Sequence, residues 1–464
     1  MWKSRCSQET NGKIQRFSQS LDLDWRLALW DIRGRLVYAE MLNQKGLITD
    51  SDLSAIRRGF QDILDELDRG EFVPGEDLAD VHMNLEHRLT EKIGVAGAYL
   101  HSRLNRNDHE EAAMRLYVKD VLAQVRDGLI RLLEALLDRA EIHHKTIVPG
   151  YTHLQQSQPV SMGHFWMAYF EAFSRDIGRL EFALEVSDEC PLGCGALAGS
   201  TMPLDREYMT QALGFERPSQ NSMDAVGQRD YVFDVLSFAS IFSVHCSRLA
   251  EDLILYASAE FGWVILPGGF SAGSRMMPQN KNTDALELVR GRTGRMVGHL
   301  VDFLVTLKGL PMTYNWDLQE EKRNLFSAFD ALLPLLDVLP ELISAVELDA
   351  DRAAESFSDG LALATDVVEY LVLKGIPFRE AHQRVDALVG WCIREGRSLF
   401  DLDLDEFQVF LAEDAQEDLL SLVDLEAAVA RRETLGGTGF KQVRRQIQRG
   451  VDLILSLRET GTVS

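Results

Sequence analysis

The sequence predicts an all-α fold, on three observations. Apolar residues recur at steps of three and four over several long stretches, period-two alternation is scarce, and some helical stretches are apolar on more than one face. A helix that is apolar all round has to be buried, inside a bundle or against another subunit, so the pattern alone predicts a homo-oligomer built on shared helices.

The elements follow in order. Residues 1–105 read as shorter helices with polar breaks. The first long helix carries Val118, Val121, Leu122, Val125, Leu129, Leu132, Leu133 and Leu136 on one face, and Pro149-Gly150 is expected to stop it. A second starts after Pro159 and runs through His164, Phe165, Met167, Phe170 and Phe173 to roughly Val186. A third spans about Ser222 to Phe261, with Phe233, Val235, Leu236, Ala239, Ile241 and Phe242 densely apolar. Asp284 to Leu307 and Leu318 to Val346 read as a fourth and a fifth. From about residue 360 the helices are short, separated by Gly, Pro and acidic loops, and Gly436-Gly437-Thr438-Gly439 breaks the last pair.

Composition narrows the function. The 464 residues hold 48 Lys plus Arg against 72 Asp plus Glu, a net charge of −24, which argues against nucleic acid and anionic membrane as partners. An anionic substrate would need a locally basic pocket. Met1 to Ser20 is polar and charged, and runs such as Trp263-Val264-Ile265-Leu266 are too short to span a bilayer. Five scattered cysteines suggest neither a disulfide framework nor a zinc cluster, and Cys190-Pro-Leu-Gly-Cys194 reads as a structural turn with buried thiols. The histidines show no HExxH spacing, and there is no GxGxxG or P-loop pattern. A reducing cytoplasm fits this cysteine usage.

Four polar segments interrupt the helical periodicity with residues a core would not choose: His101 to Asp108, Gly150 to Gln155, Asn221 to Asp224, and the loop 268–282. Each lies near the end of a long helix, where unpaired N–H groups and dipole ends can hold anions. The loop combines Gly268, Gly269 and Gly273 with Ser274-Arg275-Met276-Met277-Pro278-Gln279-Asn280-Lys281-Asn282, a mobile approach that suits a base carried onto a bound anion.

In order along the chain, these segments resemble the argininosuccinate lyases of the aspartase/fumarase superfamily. The resemblance includes Arg16-Phe17-Ser18, Asp80-Val81-His82, Arg106-Asn107-Asp108, Gly150-Tyr151-Thr152-His153-Leu154-Gln155, Pro191-Leu192-Gly193, Gly195-Ala196-Leu197-Ala198-Gly199 and Asn221-Ser222-Met223-Asp224. It continues through Tyr314-Asn315-Trp316-Asp317-Leu318-Gln319-Glu320-Glu321-Lys322 to Lys374-Gly375-Ile376-Pro377. It implies a three-domain subunit (1–105, 106–358 and 359–464) whose central helices build a twenty-helix core in a homotetramer, with active sites shared between chains. The implied reaction is elimination of fumarate from an N-substituted aspartate, argininosuccinate in the family, with no metal or organic cofactor.

Such a reaction needs a base for a weakly acidic C–H, donors and cations for the aci-carboxylate that forms, and an acid for the leaving nitrogen. Ser274 matches the family's catalytic serine, and Arg275, Lys281 and Lys322 are candidates for the field that would lower its pKa. A serine capping a turn is the competing reading. His153 and Glu287 match a histidine oriented by a glutamate, which can polarise a water or leaving nitrogen. Arg106, Asn107, Thr152, Gln155, Asn282, Tyr314, Gln319 and Lys322 match substrate-contacting positions, with Gln319 and Lys322 sharing a helical face. Asn280 stands where the family has a carboxylate-binding lysine, with Lys281 displaced by one; Arg275 replaces a second serine, and Ser102-Arg103-Leu104-Asn105 replaces a Thr-Gly-Arg-Ser run. Three accounts remain open: compensation by Arg275 or Lys281, a different N-substituted dicarboxylate, or a structural relative whose site has drifted.

Overall fold

The structure, a computed structural model, describes residues 12–17, 19–75, 78–101, 104–273, 276–277, 279 and 281–460. Ser274, Arg275 and Asn280, and with them the centre of the loop singled out above, lie outside the described residues. The chain divides into two compact units, one of Met1–Arg126, Gly178–Ser240 and Gly294–Leu332, the other of Asp127–Ile177, Ile241–Thr293 and Leu333–Ser464. Five long helices dominate, Arg106–Ile142, Met162–Ser187, Asp230–Ala257, Asp284–Leu307 and Glu320–Ala345, and each has residues in both units. The fourth has the bounds that its periodicity predicts.

Three expectations need correction. The first long helix ends at Ile142, before Pro149-Gly150, because an antiparallel hairpin of Ile147–Thr152 and Gln155–Ser161 follows. Two prolines facing each other across it, Pro149 and Pro159, hide the strand signal, and a bulge between Pro149 and Tyr151 breaks the alternation. The third helix is interrupted: Ser222–Ala225 forms one turn and the helix restarts at Asp230. Arg229 lies in the break and turns inward to pair with Glu111 at 3.0 Å and with Glu321. The fifth begins with a 3-10 turn over Trp316–Gln319 and continues as α-helix from Glu320.

In the first unit the helices Ala28–Gln44, Asp50–Asp68 and Val81–Ile93 close a core around Ile32, Tyr38, Leu42, Phe60, Leu85 and Leu89. The starts of the last two are fixed locally. Thr49 and Asp52 form a reciprocal capping box, and Asp80 caps Val81–Ile93 by accepting from the Met83 N–H. Between long helices, Tyr117 meets Phe326 edge-on at 5.1 Å and Phe233 meets Phe303 at 5.2 Å.

In the second unit Phe173 packs on Phe242 at 5.6 Å, and a separate core around Val367, Leu371, Val385, Leu388 and Phe407 holds the short C-terminal helices. Cys190, Cys194, Cys246 and Cys392 are buried free thiols, as the turn reading of the first two requires. Asp230–Ala257 is long and apolar enough to cross a membrane by length and composition, a reading missed from the sequence, but 56% of its most apolar window is buried inside the fold, as in a core helix. Gly128 lets two helices of this unit approach closely, because a Cβ there would lie 2.8 Å from Leu336 Cβ. Gly128→Val is therefore expected to destabilise by about 1–3 kcal/mol through overpacking, read as a lower urea midpoint with an unchanged slope.

Candidate active site

The first unit gathers Arg106, Tyr314, Gln319 and Lys322 into one partly buried network. Arg106 opens the long helix Arg106–Ile142 and pairs with Asp80 at 2.6 Å and Glu110 at 3.5 Å; its guanidinium lies 5.7 Å from the centre of the Trp316 ring. Lys322 is fully buried, and its ammonium donates to Gln319 Oε1 at 2.8 Å and pairs with Asp24 at 2.8 Å and with Glu110. An ammonium has three protons, and these three partners use them all. Lys322 is thus satisfied within the chain and orients its neighbours.

Those neighbours are oriented by it. Because Gln319 Oε1 accepts from Lys322, Gln319 Nε2 must point the other way, and it donates to Tyr314 Oη at 2.5 Å and Glu110 Oε1 at 3.0 Å. The Tyr314 oxygen is then occupied as an acceptor and its own proton is left to donate. Burial, reinforced by Glu110, pushes the Tyr314 hydroxyl up to about 12, so it remains a donor at neutral pH. Burial disfavours charge on Glu110, but Lys322, His82 and Arg106 outweigh it and hold the carboxyl well below its usual range. The first unit also holds Asn107, partly buried, whose N–H donates to Asn105 Oδ1 at 2.9 Å.

Asp24 and Glu110 are members of this network that the sequence reading passed over. Glu110 was within reach of it, one helical turn after Arg106 at an i,i+4 spacing. Asp24 had no local signal; only the burial of Lys322 calls for a second carboxylate.

The other described candidates lie in the second unit and are exposed. Thr152 and Gln155 close the hairpin, and its tip is His153 at φ 55° and Leu154 at φ 57°. Left-handed residues at both tip positions make the tight turn that matches strand twist, but asparagine and glycine are its usual occupants. A side chain there costs roughly 1–2 kcal/mol per residue. Leu154 carries that cost while 67% exposed.

Lys281 and Asn282 are exposed and pair with Ala272–Gly273, and the Lys281 ammonium donates to the Leu266 carbonyl. Glu287 is exposed and accepts from Thr283 Oγ1 at 3.0 Å. Among the described residues, no hydrogen bond joins His153 to Glu287 within the chain.

A second buried cluster is a candidate for metal by residue type. Asp31, His82 and His109 bring their ligand atoms within 4.8 Å of one another. The Arg35 guanidinium also sits on Asp31, at 2.5 Å, and its positive charge opposes a cation there. Burial works against charge on both histidines; the adjacent Asp31 raises His82 nonetheless, whereas His109 is lowered.

Comparison with known proteins identifies the family. The family described as Lyase matches residues 4–298, and the one described as Argininosuccinate lyase C-terminal matches residues 361–430. The argininosuccinate lyase of Moorella thermoacetica is 44% identical over 458 residues, covering 99% of this chain and 98% of its own. The argininosuccinate lyase of Chromohalobacter salexigens is 43% identical, with the same coverage. The chain belongs to the argininosuccinate lyase family. Its fold is the all-α fold of the aspartase/fumarase superfamily. An EDDS lyase solved with formate superposes with a TM-score of 0.85 at 25% identity, covering 95% of this chain and 88% of its own. A class II fumarase from Schistosoma mansoni shares the fold with a TM-score of 0.75 at 17% identity, covering 90% and 93%.

Two outcomes follow from the site geometry. Lys322→Met would leave Asp24 and Glu110 buried without their cation and is expected to lower stability by about 3–5 kcal/mol, read by denaturant unfolding. Leu154→Gly relieves a left-handed side chain and is expected to leave stability unchanged or raised, because the glycine's relaxed turn offsets its looser unfolded chain; a lowered melting temperature would contradict the strain reading.

Proposed function

We propose that this chain eliminates fumarate from argininosuccinate, releasing arginine, with Ser274 as the general base. The observation that carries the reading is identity above 40% to argininosuccinate lyases over nearly the whole chain. In this reading Tyr314 and Gln319 orient the amino-acid end, Arg106, Asn107, Lys281 and Asn282 meet carboxylates, and Thr152, Gln155 and Asn280 complete the contacts. His153, steadied by Glu287, handles the proton of the leaving nitrogen or of a water next to it.

The buried Lys322 network supports a preorganised half-site, because its donors are aimed before any substrate arrives. The exposed hairpin tip and the Lys281–Asn282 strand support a site completed by other subunits. We read the protein as a cytoplasmic homotetramer of three-domain chains (1–105, 106–358, 359–464) that works on a small dicarboxylate amino acid without metal, organic cofactor, nucleic acid or membrane. His153 and Glu287 then meet across a subunit boundary.

Asn280 favours one second reading, elimination from another N-succinyl amine, because an amide replaces the cation expected on the substrate carboxylate.

Fumarate absorbance with argininosuccinate as substrate tests the first reading. The native protein is expected to release fumarate and Ser274→Ala to lower kcat by about 10²–10⁴-fold or more. Asn280→Lys should reduce a high native rate; a gain from a low one would move the assignment to the other amine. Mixing Ser274→Ala chains with His153→Asn chains is expected to restore part of the activity by rebuilding intact sites. No recovery after confirmed subunit exchange would rule out sites shared between chains.

A further inference from the structure

The segment Pro191 to Gly199 resembles its family counterparts yet has no part in the reaction described above. Its base is tightly held. Arg206 donates to the carbonyls of Leu192 at 3.2 Å, Cys190 at 3.0 Å and Ser219 at 2.7 Å. The Gly199 N–H donates to the Cys194 carbonyl at 2.9 Å, and Ser222 Oγ donates to the Leu197 carbonyl at 2.9 Å.

The remaining anchor comes from the first turn of the helix that begins at Arg106. Asp108 Oδ2 accepts the N–H groups of Gly193 at 2.9 Å and Gly195 at 2.7 Å. Gly195 has φ 68°, and a Cβ there would lie 2.7 Å from the Gly199 carbonyl oxygen, so the turn admits only glycine.

This anchor is a costly one. Asp108 is 3% exposed, its Oδ1 has no hydrogen-bond partner, and burial pushes the carboxyl up to about 7 against the pull of the two N–H groups. What it holds, Ala196 to Thr201, is exposed and has no core to build. The backbone N–H groups of Ala196, Leu197, Ala198, Ser200 and Thr201 donate to no acceptor among the described residues. A buried carboxyl spent on fixing a row of open donors is a device for preorganisation rather than for packing.

We infer that Asp108 is a positioning residue for the reaction: it fixes the Gly195–Thr201 apex alongside the helical turn of Arg106 and Asn107, where the apex N–H groups and the Ser200 and Thr201 hydroxyls bind a substrate carboxylate. The inference rests on the elimination proposed above. The substrate's dicarboxylate end then has donors that need neither Asn280 nor Lys281, and the apex joins the residues that determine specificity.

The test uses the full-length protein with Asp108→Asn, Asp108→Ala and Gly195→Ala. Asparagine keeps an oxygen for both N–H groups and is expected to stay within about tenfold of native kcat/KM. Alanine at 108 and at 195 should each lose about a hundredfold, mostly in kcat, because Arg106 and Asn107 still anchor the ground state while the donor array is misplaced. Hydrogen exchange at the bonded amides of positions 193, 195 and 199 should rise by roughly tenfold or more in the alanine variants, with the core of the Arg206–Leu213 helix unchanged.

Native-like exchange, or kcat and KM per folded molecule within about twofold of native in Asp108→Ala, would overturn the inference. If Asp108→Ala does not fold, Gly195→Ala gives the same readings from the other side of the contact. A native protein that releases no fumarate from argininosuccinate or another N-succinyl amine would instead refute the proposed reaction, and the exchange measurement would still decide whether Asp108 holds the apex.

Discussion

The ammonium of Lys322, enclosed by Asp24, Glu110 and Gln319, is the constraint on which the first unit's candidate residues depend. A buried cation tolerates little freedom in its partners, because any partner that withdraws leaves a charge without compensation. Lys322 therefore fixes three segments at once: the N-terminal stretch through Asp24, the Arg106–Ile142 helix through Glu110, and the start of the Glu320–Ala345 helix through itself and Gln319. The amide of Gln319 has one orientation available, and the direction of the Tyr314 hydroxyl follows from it. Next to it in sequence, Glu321 pairs with Arg229, which also pairs with Glu111, so consecutive residues on two helices are tied into adjacent charge clusters.

Much of the architecture was legible because it rests on periodicity. A stripe repeating at three and four residues along Val118 to Leu136 predicts a helix whatever surrounds it, and Asp284 to Leu307 was bounded correctly by the same logic. What failed was punctuation decided by distant contacts. Nothing local to Val226–Arg229 announces that Arg229 will leave its helical path for two glutamates far along the chain. The hairpin at 147–161 was hidden by prolines and by a tip whose His153-Leu154 pair is a poor turn sequence. A poor turn sequence is informative once its geometry is known and misleading before that.

The site residues divide in the same way. Their types were legible from a resemblance, and the spacing of Gln319 and Lys322 correctly placed both on one face. Their states were not. Lys322 looked like a free cation and is instead saturated, which transfers the donating role to Tyr314. Asp24, essential to that saturation, carries no signal in a stretch that reads only as polar and acidic. Burial and partner identity are tertiary facts, and a sequence reports them only where a helical repeat brings both partners onto one face, as with Arg106 and Glu110.

The Lys322 cluster also has a sign. Two carboxylates, Asp24 and Glu110, surround one ammonium, and the nearby Arg106 is matched by Asp80. The half-site that looks basic in sequence is thus slightly anionic in sum, within a protein of net charge −24. A molecule with a cationic end and a dicarboxylate end experiences a torque near such a surface before it makes any hydrogen bond. Its cationic end is drawn toward Glu110 and Asp24 while its carboxylates turn to Arg106 and the N–H donors beside it. The enzyme would sort the two ends of its substrate during approach, and added salt, by screening that field, would blur the sorting.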